Sequence, residues 1–439
     1  MVLFYYLDFP LPHGDDLFFA GTAAHYAQTG NFINPGVIDY TSQFSEIQKP
    51  YWFVPLHMRL LGWWLSITNI SDISIRIYVL FCIMITTIFT NKWCRTSQLH
   101  SKFSTYLVPI IIIFGFRWSL RPECTAIPLF TIGLFYLFQN DNSKNIWLGT
   151  SFLGLSSLSS QILVIPTVFI AINSLFQKQK EVSLCHKAKI MGICVLQTIS
   201  VGALMINFEI SIFIEMFTDH IIARKSTIIE NLNFFYFMIC ELGNGYLLRL
   251  PSLLLLVACV VILVKAKLSN KHRFTCLLLS LLVMICLYAK SFEIILYLLT
   301  FISLIIIIET KKFIKSFFII TILLLCLRSG THLLAYSLFC DRTKDIQDTE
   351  ISDAFTYIID EYTIRHPLNW QFPKKWKIAP DFYTKNDRLL NKPPSEKWIV
   401  SMKNLAYFYP TLYTQEKIRI GGKQFSNLPV KYWEYKILP

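Results

Sequence analysis

Apolar and polar residues are grouped in long blocks along this chain. A polar opening stretch, residues 8–59, is followed by a regular series of apolar segments. A membrane-spanning helix needs about 20 mostly apolar residues, and many of these segments approach that length. We therefore predict spanning helices over 74–92, 104–118, 121–139, 146–160, 161–177, 189–207, 246–264, 274–290, 291–308 and 313–333.

The two ends of the chain differ from this apolar middle. Residues 1–7, MVLFYYL, are apolar but too short to span a bilayer. We expect them to be the end of a spanning helix whose start lies upstream. Residues 334–439 have dense charges and several tryptophans, and they are long enough for a small folded domain or a structured tail.

The block pattern predicts an all-α polytopic membrane protein with three parts. Residues 1–72 hold the end of a first membrane helix and an extracytoplasmic loop with interfacial helices. Residues 73–333 form the transmembrane domain of about 10 helices, or 11 if the missing first helix is restored. Residues 334–439 form a small extracytoplasmic C-terminal region.

Composition excludes a soluble globular protein and a nucleic-acid partner. Hydrophobic residues make up 54% of the chain, while charged residues make up 16%, against about 25% in soluble domains. The net charge of +13 is not gathered into basic patches interleaved with aromatic residues, which single-stranded nucleic acid would need. The 11 cysteines are scattered without a CxxC motif, so neither a disulfide framework nor a cysteine zinc site is predicted.

The positive charges instead give the orientation in the membrane. If residues 8–72 are outside, the inside loops hold 15 Lys and Arg residues and the outside segments before residue 334 hold 8, as the positive-inside rule requires for short loops. Making residues 51–67 a span would invert every later loop and place Arg59 in the bilayer, which costs about 2.5–3.5 kcal/mol. We therefore predict that 51–67 lies in the interface. The opening loop, the 208–245 loop and the C-terminal region then share one side.

The opening stretch contains the strongest candidate chemistry, the adjacent acids Asp15 and Asp16. One interpretation is a turn in which either acid caps the helix LFFAGTAAHYAQ, which we expect to end at Gly30. The other is catalytic, because a helix dipole keeps a nearby carboxylate ionised. An ionised carboxylate can take a proton from a hydroxyl group as a general base.

The order of motifs in this stretch resembles a known family. An acidic pair, a small-residue helix with a TGNF turn, and Lys49-Pro50 before an aromatic interfacial helix are similar to type C glycosyltransferases. The resemblance is to the protein O-mannosyltransferase and aminoarabinose-lipid A transferase superfamily, and Arg76 extends it to the next membrane helix. This chain departs from the family in having Asp16 where Glu is common and Tyr51 in place of a second proline.

The resemblance implies a polyprenyl-phosphate-sugar donor and inverting transfer to a hydroxyl or similar acceptor. Asp15 would be the general base, with Asp16 as its catalytic neighbour. A lipid phosphate is a good leaving group, so the site needs a base and positive charge for the departing phosphate. The acceptor would be a lipid, a glycan or a protein. Membrane lipids would surround the enzyme.

Further substrate-binding candidates lie in and near the outer loops. Two or more arginines or lysines beside apolar helices are costly unless they are paired or functional. The alternatives are that Arg121 and Glu123 anchor helix ends in the head-group layer, that 218–227 is an interfacial helix with solvated charges, and that His57 is only an interfacial histidine. The candidates are Lys49, His57, Arg117, Arg121, Glu123, His220, Arg224 and Lys225.

No cofactor or metal site is predicted with certainty, although Glu123 is a candidate ligand for a divalent metal ion. A transporter or flippase for a lipid-linked sugar or another solute is the alternative function, and a non-catalytic scaffold is a third. The spans are mostly plain apolar runs and the acids lie outside them, which favours chemistry at the membrane surface. The richness in Ile, Lys and Asn suggests a bacterium, with the protein in its inner (cell) membrane and the site facing the periplasm or exterior.

Overall fold

The computed structural model describes part of the chain. These residues are 14–34, 49–51, 53–96, 120–139, 142–176, 182–223, 356–360, 376–379, 396–401 and 435–438. The eight α-helices in them are α1 (Gly14–Thr29), α2 (Leu56–Thr68), α3 (Asp72–Thr96), α4 (Glu123–Gln139), α5 (Ser143–Ser159), α6 (Val164–Phe176), α7 (Leu184–Met205) and α8 (Ile210–Ala223). A 3-10 turn, Gln161–Leu163, joins α5 to α6.

Helix α1 confirms the helix predicted after the acidic pair. It ends where Gly30 adopts a left-handed φ of 73° and donates its N–H to the carbonyl of Tyr26 at 2.9 Å. A glycine is favoured at this position because it has no Cβ to clash in the left-handed conformation. Both acids fall within the helix, since α1 begins at Gly14, so neither is the residue that precedes it.

Helix α2 covers most of the segment predicted to be interfacial. It follows Pro55, ends before Asn69 in a left-handed conformation, and has 13 residues. At 1.5 Å per residue it is about 20 Å long, which is shorter than a bilayer core of about 30 Å. This length agrees with the prediction that 51–67 does not span, and its position in the interface remains a prediction.

The helices after α2 match the spans predicted over 74–92, 121–139, 146–160, 161–177 and 189–207. Their starts carry local caps: the Asn142 side chain accepts from the N–H of Asn145 at 2.8 Å, and Ser183 accepts from the N–H of His186 at 3.3 Å. Helices α4 and α5 pack closely because Gly133 and Gly149 face each other across the pair. The remaining predicted spans lie outside the described residues.

Two helices in the described part of the chain are long and apolar enough to cross a membrane, Ile73–Lys92 in α3 and all of α7. Helix α3 also exposes a stripe of large apolar side chains at helical spacing. Its members are Ile73, Ile77, Phe81, Met84 and Ile88, each 42–54% exposed. A soluble protein rarely exposes a continuous apolar face of this length. Such a face is expected of an integral membrane protein.

The C-terminal region contains a four-stranded sheet, which corrects the all-α class for this part of the chain. The strands are β1 (Thr356–Asp360), β2 (Trp376–Ala379), β3 (Glu396–Ser401) and β4 (Tyr435–Leu438), in the order β2-β1-β3-β4. β1 pairs in parallel with β2 and β3, and β4 is antiparallel to β3. The strand sequences are rich in β-branched and aromatic residues, as in TYIID and EKWIVS, which pack well on a pleated surface.

Candidate functional site

The acidic pair lies in the first turn of α1. Asp15 and Asp16 are the second and third residues of the helix, where the helix dipole favours a negative charge. Asp15 lies one turn before Phe19, which is 1% exposed and packs edge-on against Phe53 with ring centroids 5.0 Å apart. The structure describes the backbone of the two acids, and their side chains lie outside that description.

Helices α1 and α2 are held close together by small residues. Ala20, Ala23 and Ala24 are almost completely buried, which confirms the small packing face predicted for α1. A Cβ added at Gly62 of α2 would lie 2.6 Å from a ring carbon of Tyr26 and 3.1 Å from the carbonyl oxygen of Ala23. The acid-bearing helix is therefore seated directly on the helix that follows Lys49-Pro50.

Lys49 and Tyr51 bind the same carboxylate, that of Glu209 in the turn between α7 and α8. The Lys49 ammonium forms a hydrogen-bonded ion pair with Oε1 of Glu209. The Tyr51 hydroxyl donates to Oε2 at 2.6 Å and also lies 3.0 Å from the carbonyl oxygen of Ile206. Tyr51 is fully buried, whereas the side chains of Lys49 and Glu209 are 21% and 28% exposed. The ammonium thus lies at the edge of the folded core.

Arg59 also binds this turn. Its Nε donates to the carbonyl of Met205 at 2.6 Å, and its Nη2 donates to Oδ1 of Asn207 at 2.9 Å. The guanidinium also lies over the rings of Phe32 and Tyr26, 4.5 and 5.1 Å from their centroids. A cation at the C-terminal carbonyls of α7 is favoured by the helix dipole. Arg59 therefore ties α2 to the end of α7.

The electrostatics of this group keep Glu209 ionised. Partial burial raises the pKa of Glu209, but the hydrogen bonds from Lys49 and Tyr51 and the charges of Lys49 and Arg59 outweigh it, so the pKa lies below its ordinary value. Burial, and then the hydrogen bond to Glu209 and its charge, raise the pKa of Tyr51 far above the ordinary value. Tyr51 is therefore a neutral donor to an ionised carboxylate.

Both ring nitrogens of His57 form hydrogen bonds within the protein, and their donors and acceptors can be assigned. Its Nε2 lies 2.6 Å from the carbonyl oxygen of Leu120, which can only accept, so this nitrogen carries the proton. Its Nδ1 then accepts from Thr125 at 2.7 Å, and the Tyr78 hydroxyl in turn donates to Thr125 at 2.6 Å. The side chain is fully buried, which lowers the pKa of His57 to about 4 despite the hydrogen bond to the Leu120 carbonyl. Both ring nitrogens are thus engaged within the protein, which favours a structural role for His57, and its role in substrate binding stays a prediction.

Arg121 and Glu123 form a second polar group at the start of α4. Arg121 Nε lies 3.6 Å from Oε2 of Glu123, and the Ser160 hydroxyl donates to Oε1 at 3.0 Å. Glu123 is 5% exposed. The Glu123 carboxylate therefore joins the start of α4 to the end of α5. Among the described residues, no group of three or more His, Cys, Asp or Glu side chains could hold a metal ion.

The structure joins only some of the predicted candidates. His220 lies on α8 by its backbone, and its side chain is outside the description. Arg117, Arg224 and Lys225 lie outside the described residues. Lys49 contacts Glu209, a residue that the sequence analysis did not single out. The sequence feature that could have pointed to Glu209 is an acid just after the end of a predicted span, in the sequence NFE.

Three residues of the opening loop contact the turn between α7 and α8. Lys49, Tyr51 and Arg59 from the opening loop all contact residues 205–209. That the opening loop and the 208–245 loop share one side of the membrane stays a prediction from the sequence. A hydrophobic cluster around these contacts contains Phe19, Phe32, Tyr51, Met58, Ile206 and Met216. The described residues of the opening loop and the α7–α8 turn thus pack together.

Comparison with known proteins gives a distant structural likeness. No family model and no curated protein matches the sequence. The chain is similar to ArnT from Cupriavidus metallidurans. In the crystal structure bound to undecaprenyl phosphate, the TM-score is 0.49 at 10% identity, over 99% of this chain and 96% of that chain.

The apo structure of the same protein gives a TM-score of 0.44 at 10% identity, over 99% of this chain and 95% of that chain. A superposition at this level carries no argument about activity. Function must be argued from the residues of this chain.

Proposed function

We propose that this protein is an integral membrane glycosyltransferase. It would move a sugar from a polyprenyl-phosphate donor to a hydroxyl group of a lipid, glycan or protein acceptor, with inversion, on the extracytoplasmic side. The observation that supports this most is the seating of the acid-bearing helix α1 on α2, with Lys49 held beside them on the α7–α8 turn. A base and a cation for a departing phosphate are the two groups that the reaction needs.

In this mechanism Asp15 takes the proton of the acceptor hydroxyl. The acceptor oxygen attacks the anomeric carbon from the face opposite the phosphate, so the configuration inverts. The bond from the anomeric carbon to the phosphate oxygen breaks, and its electron pair leaves with the polyprenyl phosphate. Lys49 would stabilise the charge on that phosphate. Asp16, and the cations Arg117, Arg121, Arg224 and Lys225, are further candidates for binding the two substrates.

A genetic experiment tests the role of Asp15. Cell-surface glycans and glycolipids are compared by mass spectrometry between a strain lacking the gene and strains complemented with wild type or Asp15→Asn at equal membrane abundance. We expect one sugar to be missing in the null strain, to return with wild type, and to stay reduced with Asp15→Asn, since losing a general base costs about 10²–10⁴-fold in rate.

Asp72→Asn is the matched control, because Asp72 is also an acid in the first turn of a helix. We expect this variant to restore the sugar. If Asp15→Asn restores it equally well, Asp15 is only a favourable helix-end charge. Counterflow of a solute in proteoliposomes, with no change in any surface sugar, would instead support a transporter or flippase.

A further inference from the structure

Glu209 is bound by two residues of the opening loop at once, and this arrangement carries an inference that rests on the proposed function. We propose that Glu209 is a positioning residue that holds the Lys49 ammonium in place for the phosphate of the donor lipid. The ligand chemistry is a phosphate monoester or diester on a long polyprenyl chain. Glu209 itself would touch neither the sugar nor the acceptor.

The contacts leave the ammonium free to bind a further ligand. An ammonium group has three N–H donors. Among the described residues, Lys49 donates a hydrogen bond to Glu209, and its Nζ also lies 5.9 Å from the centroid of the Tyr51 ring. Its side chain is 21% exposed, so the group is not sealed in the core. Two cations, Lys49 and Arg59, and one anion, Glu209, leave one net positive charge at this place. That charge suits a phosphate oxygen.

Glu209 and the turn before it are held by several contacts. Asn207 and Phe208, just before it, have left-handed backbone conformations with φ of 53° and 60°. Arg59 holds the turn through the carbonyl of Met205 and the side chain of Asn207. The second carboxylate oxygen is held by the buried Tyr51. A carboxylate fixed on these sides is better suited to hold a lysine than to leave when a phosphate arrives.

Holding the lysine has a physical benefit for binding. A free lysine side chain has about 2 kcal/mol of rotamer entropy, part of which is lost when it binds a ligand. A lysine that is already ordered loses less at that moment, so the ligand binds more tightly. Protein kinases use the same device when a glutamate pairs with the lysine that contacts the nucleotide phosphates.

The departure from the family pattern at Tyr51 fits this role. A proline at this position has no hydroxyl group and could not contact Glu209. In this chain Tyr51 is fully buried and donates to the carboxylate at 2.6 Å. Tyr51 therefore orients Glu209, and Glu209 orients Lys49.

Binding of undecaprenyl phosphate to the purified full chain in lipid nanodiscs tests the inference without requiring activity. Undecaprenol and inorganic phosphate are the comparison ligands. The variants are Glu209→Gln, Lys49→Met and the double variant, and Glu215→Gln on the exposed face of α8 is the control. We expect wild type and Glu215→Gln to bind undecaprenyl phosphate equally, and better than either comparison ligand.

Glu209→Gln should bind undecaprenyl phosphate about tenfold more weakly, a size typical of coupling between contacting residues. Lys49→Met should weaken binding further, and the double variant should equal Lys49→Met, because Glu209 acts through Lys49. Tyr51→Phe should weaken binding in the same direction by a smaller factor. It replaces Glu209→Gln as the decisive variant if the latter does not fold.

Several results would overturn the inference. Unchanged or tighter binding by Glu209→Gln would do so, and tighter binding would make Glu209 a competitor of the phosphate. Effects that add up in the double variant would mean that Glu209 does not act through Lys49. Inorganic phosphate binding as well as the lipid would indicate a general anion site. Failure of wild type to prefer undecaprenyl phosphate over undecaprenol would instead overturn the proposed donor class.

Discussion

Two side chains on α2, His57 and Arg59, are two residues apart and lie in polar surroundings of opposite kinds. His57 is neutral and fully buried, and it ends a chain of hydrogen bonds through Thr125 and Tyr78. Arg59 is charged and belongs to a group with Lys49 and Glu209 that reaches the edge of the core. We call these the neutral network and the charged cluster.

The difference between them shows which of the two can meet a ligand. A buried neutral group needs only its hydrogen bonds satisfied, and the neutral network satisfies both nitrogens of His57 internally. A buried charge needs an opposite charge or oriented dipoles. The charged cluster supplies Glu209, the α7 carbonyls and two aromatic rings, and it still keeps donors on Lys49. We therefore expect the neutral network to stabilise the fold and the charged cluster to bind substrate.

The largest effect is expected from Arg59→Ala. Two hydrogen bonds from a charged donor and two cation–π contacts are lost, and we expect the free energy of unfolding to fall by about 4 kcal/mol. Thermal or denaturant unfolding of the purified protein measures this.

Arg59→Lys should lower the free energy of unfolding by a smaller amount than Arg59→Ala. Lysine keeps the charge but cannot reproduce the planar two-point contact of the guanidinium. Lys189→Ala, at an exposed lysine on α7, should change stability by less than about 0.5 kcal/mol. Equal effects of the two alanine variants would contradict the assigned role of Arg59.

The next largest effect is the pH dependence of stability, which differs between the neutral network and the charged cluster. The pKa of His57 is about 4 in the folded protein, below the ordinary value of 6.5. Between these values the unfolded chain binds a proton that the folded chain lacks. The neutral network is therefore fully stabilising above pH 6.5, and about 3 kcal/mol is lost as the pH falls from 6.5 to 4. Unfolding measured across this range checks it.

His57→Gln is the control for that pH dependence, because glutamine does not titrate. We expect the variant to lack most of the loss between pH 6.5 and 4. The lowered pKa of Glu209 acts in a different window, since its contribution is present above 4.5 and is lost only as the pH falls further. An unchanged slope in His57→Gln would mean that another group, such as His25, whose burial also lowers its pKa, causes the loss.

The smallest effect is expected from Tyr78→Phe. It removes the hydroxyl group that donates to Thr125 at 2.6 Å, and one buried hydrogen bond contributes about 1 kcal/mol. Thermal unfolding detects this change. Tyr26→Phe is the matched control, because its hydroxyl accepts an exposed hydrogen bond from Trp63 at 3.1 Å. If Tyr78→Phe has no more effect than Tyr26→Phe, the neutral network is not a coupled chain.

The sequence was sufficient for helices α1 to α7 and for the end of α1, whereas α8 lies in a segment that was predicted as a loop. The apolar blocks gave α3 to α7 because a spanning helix is set by length and apolarity within one segment. Gly30 ended α1 because its left-handed conformation is a local preference. The sheet was not predicted, since its four strands are short and are separated by long connections. Pairing between such strands depends on contacts far apart in the chain.

The sequence by itself determined which residues are available for chemistry. They are an acidic pair at a helix start, a lysine before an aromatic helix, and positive charges in the loops between apolar segments. Only the tertiary structure decided their partners. Glu209 is 160 residues from Lys49, and the contact exists because the α7–α8 turn packs against the opening loop. His57 was placed among the substrate-binding candidates, but packing around Leu120 and Thr125 seals it. Local preferences act within a few residues, whereas burial and ion pairing depend on which distant segments meet.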